Sequence, residues 1–151
     1  MTERGEIRNK EIARQIRDFS KLRFGNVTPT DIDGLIEFNN CIFILIETKF
    51  QKDELPPGQE RALVNLVDTI FNASKKGLLI IAIHDKPPEQ DIPFHQCQVS
   101  RYRSRKNWYS PKKKMMIKNL IDSYLKKNCI DCPQVNCSAN KYIKTNRNSN
   151  A

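Results

Sequence analysis

Three charged residues, Asp33, Glu47 and Lys49, are spaced so that a β-hairpin would bring their side chains together. Glu47 and Lys49 follow a continuous apolar run, residues 41–46, which is typical of a strand buried on both faces. Residues two apart on a strand project from the same face, about 6.6 Å apart. Asp33 lies on the preceding strand candidate. The sequence therefore predicts two carboxylates and a lysine clustered where a buried strand ends.

Such a cluster is costly in an apolar interior unless a cation or another partner compensates the charges. Mg²⁺ is usually bound by one or two carboxylates together with waters and substrate phosphate. A bound Mg²⁺ polarises a phosphoryl oxygen, and a lysine beside it orients or deprotonates a water. A Glu-x-Lys triplet arises by chance about once in 280 residues, and such a pair is usually a solvated salt bridge. The apolar run and Asp33 distinguish this triplet from that common case.

The elements expected to position these residues alternate between helices and strands. Asn39 and Asn40 predict a tight turn that joins two antiparallel strands. The order predicts an α/β fold, with a central mixed sheet flanked by helices. Residues 1–127 are expected to form one domain, and residues 128–151 a polar, cysteine-containing tail with a disordered end. The predicted helices cover residues 3–22, 59–74 and 110–127, and the predicted strands cover 31–38, 41–49, 78–83 and, as an edge strand, 97–103.

Two segments resemble the PD-(D/E)XK nuclease superfamily, the group of restriction endonucleases, Holliday-junction resolvases and phage exonucleases. They are Thr-Asp-Ile-Asp-Gly-Leu-Ile-Glu at 30–37 and Ile-Leu-Ile-Glu-Thr-Lys at 44–49. The resemblance covers residues 6–84 and implies a restriction-endonuclease-like αβββαβ-type core. The chain has Thr-Asp-Ile-Asp where the family has Pro-Asp, so Asp31 is an alternative to Asp33. We favour Asp33 because Gly34 beside it would leave room for a phosphate.

The resemblance also implies roles for the clustered residues. Asp33, Glu47 and the backbone carbonyl of Thr48 would bind Mg²⁺ or Mn²⁺, and Lys49 would act on the attacking water. The implied activity is metal-dependent hydrolysis of DNA phosphodiester bonds, by an endo- or exodeoxyribonuclease.

Two further residues match positions that only some members of the family use. Glu11, with Glu6 as the alternative, matches a glutamate on the first helix that completes the metal site. Gln59 matches a glutamine on the helix after the Glu-x-Lys strand. The competing interpretation for both Glu11 and Gln59 is an ordinary residue on a helix surface.

The net charge of +9 is concentrated in the C-terminal part of the chain. Residues 98–151 contain 13 Lys and Arg but only two Asp, which favours a polyanionic partner such as linear, branched or single-stranded DNA. Arginine, lysine and tryptophan alternate here, and aromatic rings can stack on unpaired bases. The competing interpretation is a strand kept soluble by its charge. The predicted DNA-contacting residues are Arg101, Arg103, Arg105, Lys106, Trp108, Lys112, Lys113 and Lys114.

The five cysteines include a compact group, Cys129, Cys132 and Cys137. With Cys97 or His95 as a fourth ligand, they would suit structural Zn²⁺ or, as in some nucleases, an Fe–S cluster. The competing interpretation is that these thiols bind no metal.

Two other classes of function compete with the nuclease. One is a non-catalytic nucleic-acid-binding module, and the other is a zinc-stabilised adaptor that uses the cysteine tail. The chain has no apolar run near the roughly 20 residues that span a bilayer, and its N-terminus lacks the pattern of a secretory signal. We therefore expect a cytoplasmic protein with no membrane partner. Because small nucleases of this family often act as dimers, a homodimer is also expected.

Overall fold

The computed structural model describes residues 4–129 and 138–148, and the chain divides into two units, residues 1–31 and 32–151. The first unit has one short helix, α1 (Lys10–Ala13), capped by the Asn9 side chain, which accepts a hydrogen bond from the Ile12 backbone N–H at 3.1 Å. The prediction of a helix over residues 3–22 is therefore wrong. The helix was predicted from a stripe of apolar residues that includes Ile7, Ile12 and Ile16. These three stay exposed, with Ile16 95% accessible, so burial does not stabilise a longer helix.

The second unit is built on a five-stranded mixed sheet with the strand order β1-β2-β3-β4-β5. β2 and β3 are parallel, and every other neighbouring pair is antiparallel. The predicted α/β class and the mixed sheet flanked by helices are confirmed. The αβββαβ-type core implied by the resemblance has three strands before its second helix. In this structure only two strands precede the first long helix. The strands are β1 (Gly34–Phe38), β2 (Ile42–Phe50), β3 (Lys76–His84), β4 (Gln98–Ser104) and β5 (Asn107–Tyr109), and the helices are α2 (Pro57–Asn72), α3 (Ile117–Asn128) and α4 (Ser138–Asn148).

The hairpin predicted around Asn39 and Asn40 is confirmed. Both residues have positive φ values, 49° and 57°, which asparagine tolerates better than most residues. Phe38 faces Ile42 across the turn, and the pairing continues to Gly34 opposite Ile46. This register carries the chain preceding β1 alongside the end of β2.

β2 and β3 are buried on both faces, as their continuous apolar sequences predict. One face packs against α2, whose residues Leu63 and Val67 are buried, and the other face packs against α3. Alternation along each strand decides which side chain joins which layer. None of the described helices is long and apolar enough to cross a membrane.

Gly77 sets the close approach of α2 to β3, which leads to a stability prediction. A Cβ at this position would lie 2.9 Å from Val67 Cγ2 and 3.1 Å from the Val67 carbonyl oxygen. We expect Gly77→Ala to lower the free energy of unfolding by about 1 to 3 kcal/mol, because the helix must shift. Gly58→Ala is the control, since a Cβ there would meet no other part of the protein within 4 Å and alanine favours a helix. Urea denaturation measures both, and equal stabilities would contradict the prediction.

Two predictions for residues 97–127 are wrong. The helix begins at Ile117 and not at residue 110, and the strand over residues 97–103 is not the edge of the sheet. Residues 110–116 do not start the helix; instead the Val99 N–H donates to the Met115 carbonyl and the Ile117 N–H to the Cys97 carbonyl, at 2.8 and 3.0 Å. The helix was predicted to begin at Ser110, because a serine followed by a proline is a typical helix start. The pairing along β4 holds this segment in an extended conformation instead. The segment predicted as an edge strand is covered by β5, so β4 is an interior strand.

The tail also contains a helix that the sequence analysis missed. Ala139 and Ile143 of α4 are buried in the core cluster that contains α3. The composition of α4 is polar, but these two apolar residues lie four apart on one face, which is sufficient for docking. The predicted disorder of the last residues falls on 149–151, which lie outside the described residues.

Candidate active site

The Glu47 side chain is the most deeply buried acidic group in the described part of the chain. It lies on β2 opposite Ile81 of β3, and the residue is only 1% exposed. Its Oε1 accepts a hydrogen bond from Gln59 Nε2 at 2.8 Å and forms an ion pair with Lys49 Nζ at 2.8 Å. Its Oε2 is buried and has no hydrogen-bond partner among the described residues.

Lys49 and Gln59 complete a triangle with Glu47. Lys49 Nζ also donates to Gln59 Oε1, at 3.2 Å. Lys49 projects from the same face of β2 as Glu47. Gln59 is the third residue of α2, which begins at Pro57. Proline is favoured at this first helical position because it has no N–H to satisfy. The start of α2 therefore determines that Gln59 reaches the end of β2.

Asp33 joins the cluster from the chain preceding β1. Its Oδ2 accepts hydrogen bonds from the backbone N–H and the hydroxyl of Thr48, both at 2.8 Å. The hairpin register explains the contact, because the residue before Gly34 lies beside the residue after Ile46. The end of β2 therefore carries one cluster of side chains, which we call the catalytic cluster. It consists of Asp33, Glu47, Thr48, Lys49 and Gln59.

Burial raises the pKa of the Glu47 carboxyl above its ordinary value, and this desolvation is the largest influence on it. The negative charge of Asp33 raises this pKa further, whereas hydrogen bonds from Lys49 and Gln59 lower it. The surroundings therefore disfavour the ionised carboxylate even with Lys49 beside it.

Gly34 is closely packed rather than beside open space. A Cβ on Gly34 would lie 3.3 Å from the Phe94 ring and 3.5 Å from Ile46 Cβ. Phe94 belongs to a single 3₁₀ turn, Phe94–Gln96. The expectation that Gly34 leaves room for a phosphate is therefore wrong, because Phe94 occupies that space.

An open groove of about 550 Å³ begins at Lys49. It runs past Lys52 and the Leu55 side chain, along Ile83 of β3, to Arg101 of β4. The groove lies at the carboxyl ends of the parallel strands, where ligands commonly bind in open α/β sheets. A substrate that occupies it would contact the Lys49 side of the cluster.

The other acidic candidates belong to the first unit, residues 1–31. Glu6, Glu11 and Asp31 are all exposed there, and Glu11 is on α1. Thr48 donates its backbone N–H and its hydroxyl to Asp33, the aspartate that the sequence favours. A contribution of Glu11 to the site stays a prediction.

Arg101 and Arg103, predicted to contact DNA, form two-point ion pairs with α2. Arg101 donates to both oxygens of Glu60, at 2.9 and 3.0 Å, and Arg103 to both oxygens of Asp68, at 2.9 and 2.7 Å. The guanidinium carbon of Arg101 lies 4.2 Å from the centre of the Trp108 ring. These contacts join the last two strands to α2 and neutralise both arginines in this conformation.

Sequence analysis missed the two acidic partners of these arginines. Glu60 and Asp68 are eight residues apart, so they share one face of α2 with Val64 between them. The sequence did contain two acidic residues on one helix face and two arginines, Arg101 and Arg103, on one strand face. These spacings are compatible with ion pairs, but they do not specify which strand the helix covers.

The remaining predicted DNA-contacting residues are accessible. Arg105 and Lys106 form the turn between β4 and β5, and both have positive φ values, 49° and 64°. The three consecutive lysines lie in the segment before α3. Exposed residues of this set are Arg105, Lys106, Lys112, Lys113 and Lys114.

The cysteine prediction is only partly within the described residues. Cys97 and Cys129 are both buried in the core cluster, and burial raises the pKa of the Cys97 thiol, which favours its protonated form. Cys132 and Cys137 lie outside the described residues. Within residues 4–129 and 138–148, no three His, Cys, Asp or Glu side chains are grouped closely enough to hold a metal ion.

Comparisons of the chain with protein-family models, with curated proteins and with solved structures gave no match.

Proposed function

We propose that this protein is a metal-dependent nuclease that hydrolyses DNA phosphodiester bonds, with a restriction-endonuclease-like core. The observation that carries the proposal is the Glu47 carboxylate, which is buried, has an oxygen without a hydrogen-bond partner among the described residues, and lies beside Lys49 and Asp33. A purely structural glutamate at such a depth would be expected to have both oxygens satisfied.

The residues of the site fit a divalent cation. The unsatisfied Glu47 Oε2 is a hard oxygen donor, and Asp33 supplies a second carboxylate close enough to influence the Glu47 pKa. Two carboxylates are within the usual number for Mg²⁺, which retains waters and takes substrate phosphate as further ligands. A cation bound there would supply a Lewis acid that polarises the phosphoryl group.

Lys49 and Gln59 would perform the rest of the chemistry. Lys49 is fixed by its contacts to Glu47 and Gln59, so its ammonium group can orient a water and stabilise the negative charge that develops on the phosphoryl oxygens. Gln59 donates to Glu47 and accepts from Lys49, and therefore holds both groups in position. Preorganised groups of this kind lower the barrier because they need no rearrangement during the reaction.

The basic composition of the chain supports a nucleic-acid substrate. The net charge is +9, and the exposed lysines at 112–114 provide cations outside the catalytic cluster. Cations along a surface raise the affinity for phosphate backbones irrespective of base sequence.

The proposal is tested by cleavage of linear duplex, supercoiled circular, single-stranded and branched DNA with Mg²⁺, Mn²⁺ or EDTA. We expect cleavage that depends on the metal and that falls by at least about a hundredfold in Asp33→Asn, since even outer-sphere groups of a metal site contribute 10–100-fold. Asp31→Asn is the matched control and should remain active. Calorimetric titration with Mn²⁺ should show weaker metal binding by Asp33→Asn alone.

Two results would count against this assignment. Loss of activity in Asp31→Asn instead of Asp33→Asn would move the metal site to the other aspartate. DNA that is bound but never cut by the wild-type protein, with either metal, would leave a nucleic-acid-binding module as the function.

A further inference from the structure

A second cavity, of about 460 Å³, lies at the opposite end of β3 from the catalytic cluster. Three cationic side chains line it, those of Lys75, Lys76 and Arg105. Among the described residues that line it, there is no carboxylate. It differs in this respect from the groove at Lys49, whose walls include Asp53 and Glu60.

The lining residues also offer neutral hydrogen-bond donors. Ser74 and Ser104 contribute hydroxyl-bearing side chains to the walls. Tyr124 also lines the cavity, but its hydroxyl donates to the Gly77 carbonyl at 3.2 Å and is therefore not available to a ligand. A pocket that combines several cations with hydroxyl donors suits a tetrahedral oxyanion.

The ends of two helices compensate only part of the positive charge. α2 and α3 both end beside the cavity, and Lys76 Nζ donates to the backbone carbonyl of Asn128. Arg105 Nη2 lies 3.5 Å from the Asn128 side-chain oxygen. Each helix end contributes roughly half a negative charge. Three cations against two helix ends therefore leave about two positive charges for a ligand.

We propose that this cavity binds a phosphate group, as a monoester or as the diester of a nucleic-acid backbone. Lys75 and Arg105 would contact the phosphate, and Lys76 would contribute charge while it stabilises the end of α3. The site is separate from the proposed catalytic cluster. Lys76 is seven residues along β3 from Ile83, the partner of Lys49, which corresponds to about 23 Å. The inference goes beyond the proposed nuclease function and does not depend on it.

The test is calorimetric titration of the full chain with inorganic phosphate, with EDTA present so that no divalent metal takes part. We expect Lys75→Gln and Arg105→Gln each to weaken binding about tenfold, as the loss of one charge-assisted hydrogen bond predicts. Lys127→Gln is the matched control, because it removes the same charge from the exposed end of α3, but Lys127 does not line the cavity. Its affinity for phosphate should change little.

A second measurement separates the two sources of the phosphate. A short single-stranded DNA is titrated with a 5′-phosphate or a 5′-hydroxyl end, again in EDTA. Preference for the 5′-phosphate form that disappears in Arg105→Gln supports a monoester site. Equal binding of both forms, weakened by Arg105→Gln and not by Lys127→Gln, supports a backbone site. Equal weakening in all three variants, or no binding of phosphate or DNA, would overturn the proposal, whatever the outcome of the nuclease assay.

Discussion

Lys49→Ala is expected to lower the rate of metal-dependent DNA cleavage by about 10²- to 10⁴-fold, the usual contribution of a group that handles the attacking water. Lys49 Nζ lies 2.8 Å from Glu47 and 3.2 Å from Gln59, so the cluster itself loses its positive charge in the variant. DNA binding should change little, because the exposed lysines at 112–114 remain. Rates under single-turnover conditions, measured beside filter-binding affinities, separate the two effects.

Folding must be controlled in this experiment, because Lys49→Ala leaves a buried carboxylate without its cation. Lys49→Gln keeps a hydrogen-bond donor on the side chain but removes the charge, and it should be as inactive as the alanine variant. Lys144→Ala removes a lysine from the exposed surface of α4 and should retain full activity. Activity in Lys49→Gln close to that of the wild type would refute the catalytic role of the ammonium group.

The sequence predicts those parts of the fold that depend on local patterns. The apolar runs identify β2 and β3, the Asn39-Asn40 pair identifies the hairpin, and alternation on β2 places Glu47 and Lys49 on one face. Each of these inferences spans less than about one hairpin or helix turn, within which backbone geometry is nearly fixed. Gln59 was indicated instead by the family resemblance, and it reaches the cluster because α2 begins two residues earlier, at Pro57.

The failures concern interactions between segments distant in sequence. The start of α3 is displaced from Ser110 because residues 115–117 pair with β4, and the Ser-Pro pattern carries no information about that partner. The contact of Arg101 with DNA stays a prediction, but no local pattern indicated that Glu60, 41 residues away in sequence, forms an ion pair with it. The 3–22 helix was predicted from an apolar stripe, but a stripe stabilises a helix only where another surface buries it.

Glu47→Gln is expected to abolish cleavage while making the folded protein more stable near neutral pH. Both effects have the same origin, because the site disfavours the ionised carboxylate that a cation would require. Glutamine removes the buried charge but leaves a polar group at the position of Oε2. We expect the free energy of unfolding to rise by about 1 kcal/mol, because an unsatisfied neutral group costs less to bury than a charged one. Residues retained for function at the expense of stability behave in this way.

The stability difference should depend on pH in a defined direction. The folded-state pKa of Glu47 is raised above the ordinary value of 4.5, so the folded protein binds a proton more tightly than the unfolded chain. The wild type therefore loses stability as the pH rises from the ordinary pKa through the raised pKa. Glutamine does not titrate, so its advantage should be smallest below about pH 4.5 and reach its full size above the raised pKa.

Glu60→Gln provides the matched control of opposite sign. The hydrogen bond from Arg101 lowers the pKa of Glu60, so this carboxylate stabilises the fold when it is ionised. Its replacement should cost about 1 kcal/mol or less at neutral pH, since the pair is partly exposed, and the cost should disappear in acid. Urea denaturation of the three proteins at several pH values measures both trends. If Glu47→Gln were less stable than the wild type at neutral pH, Glu47 would be fully compensated by Lys49 and Gln59. The buried carboxylate would then no longer support the proposal of a cation site.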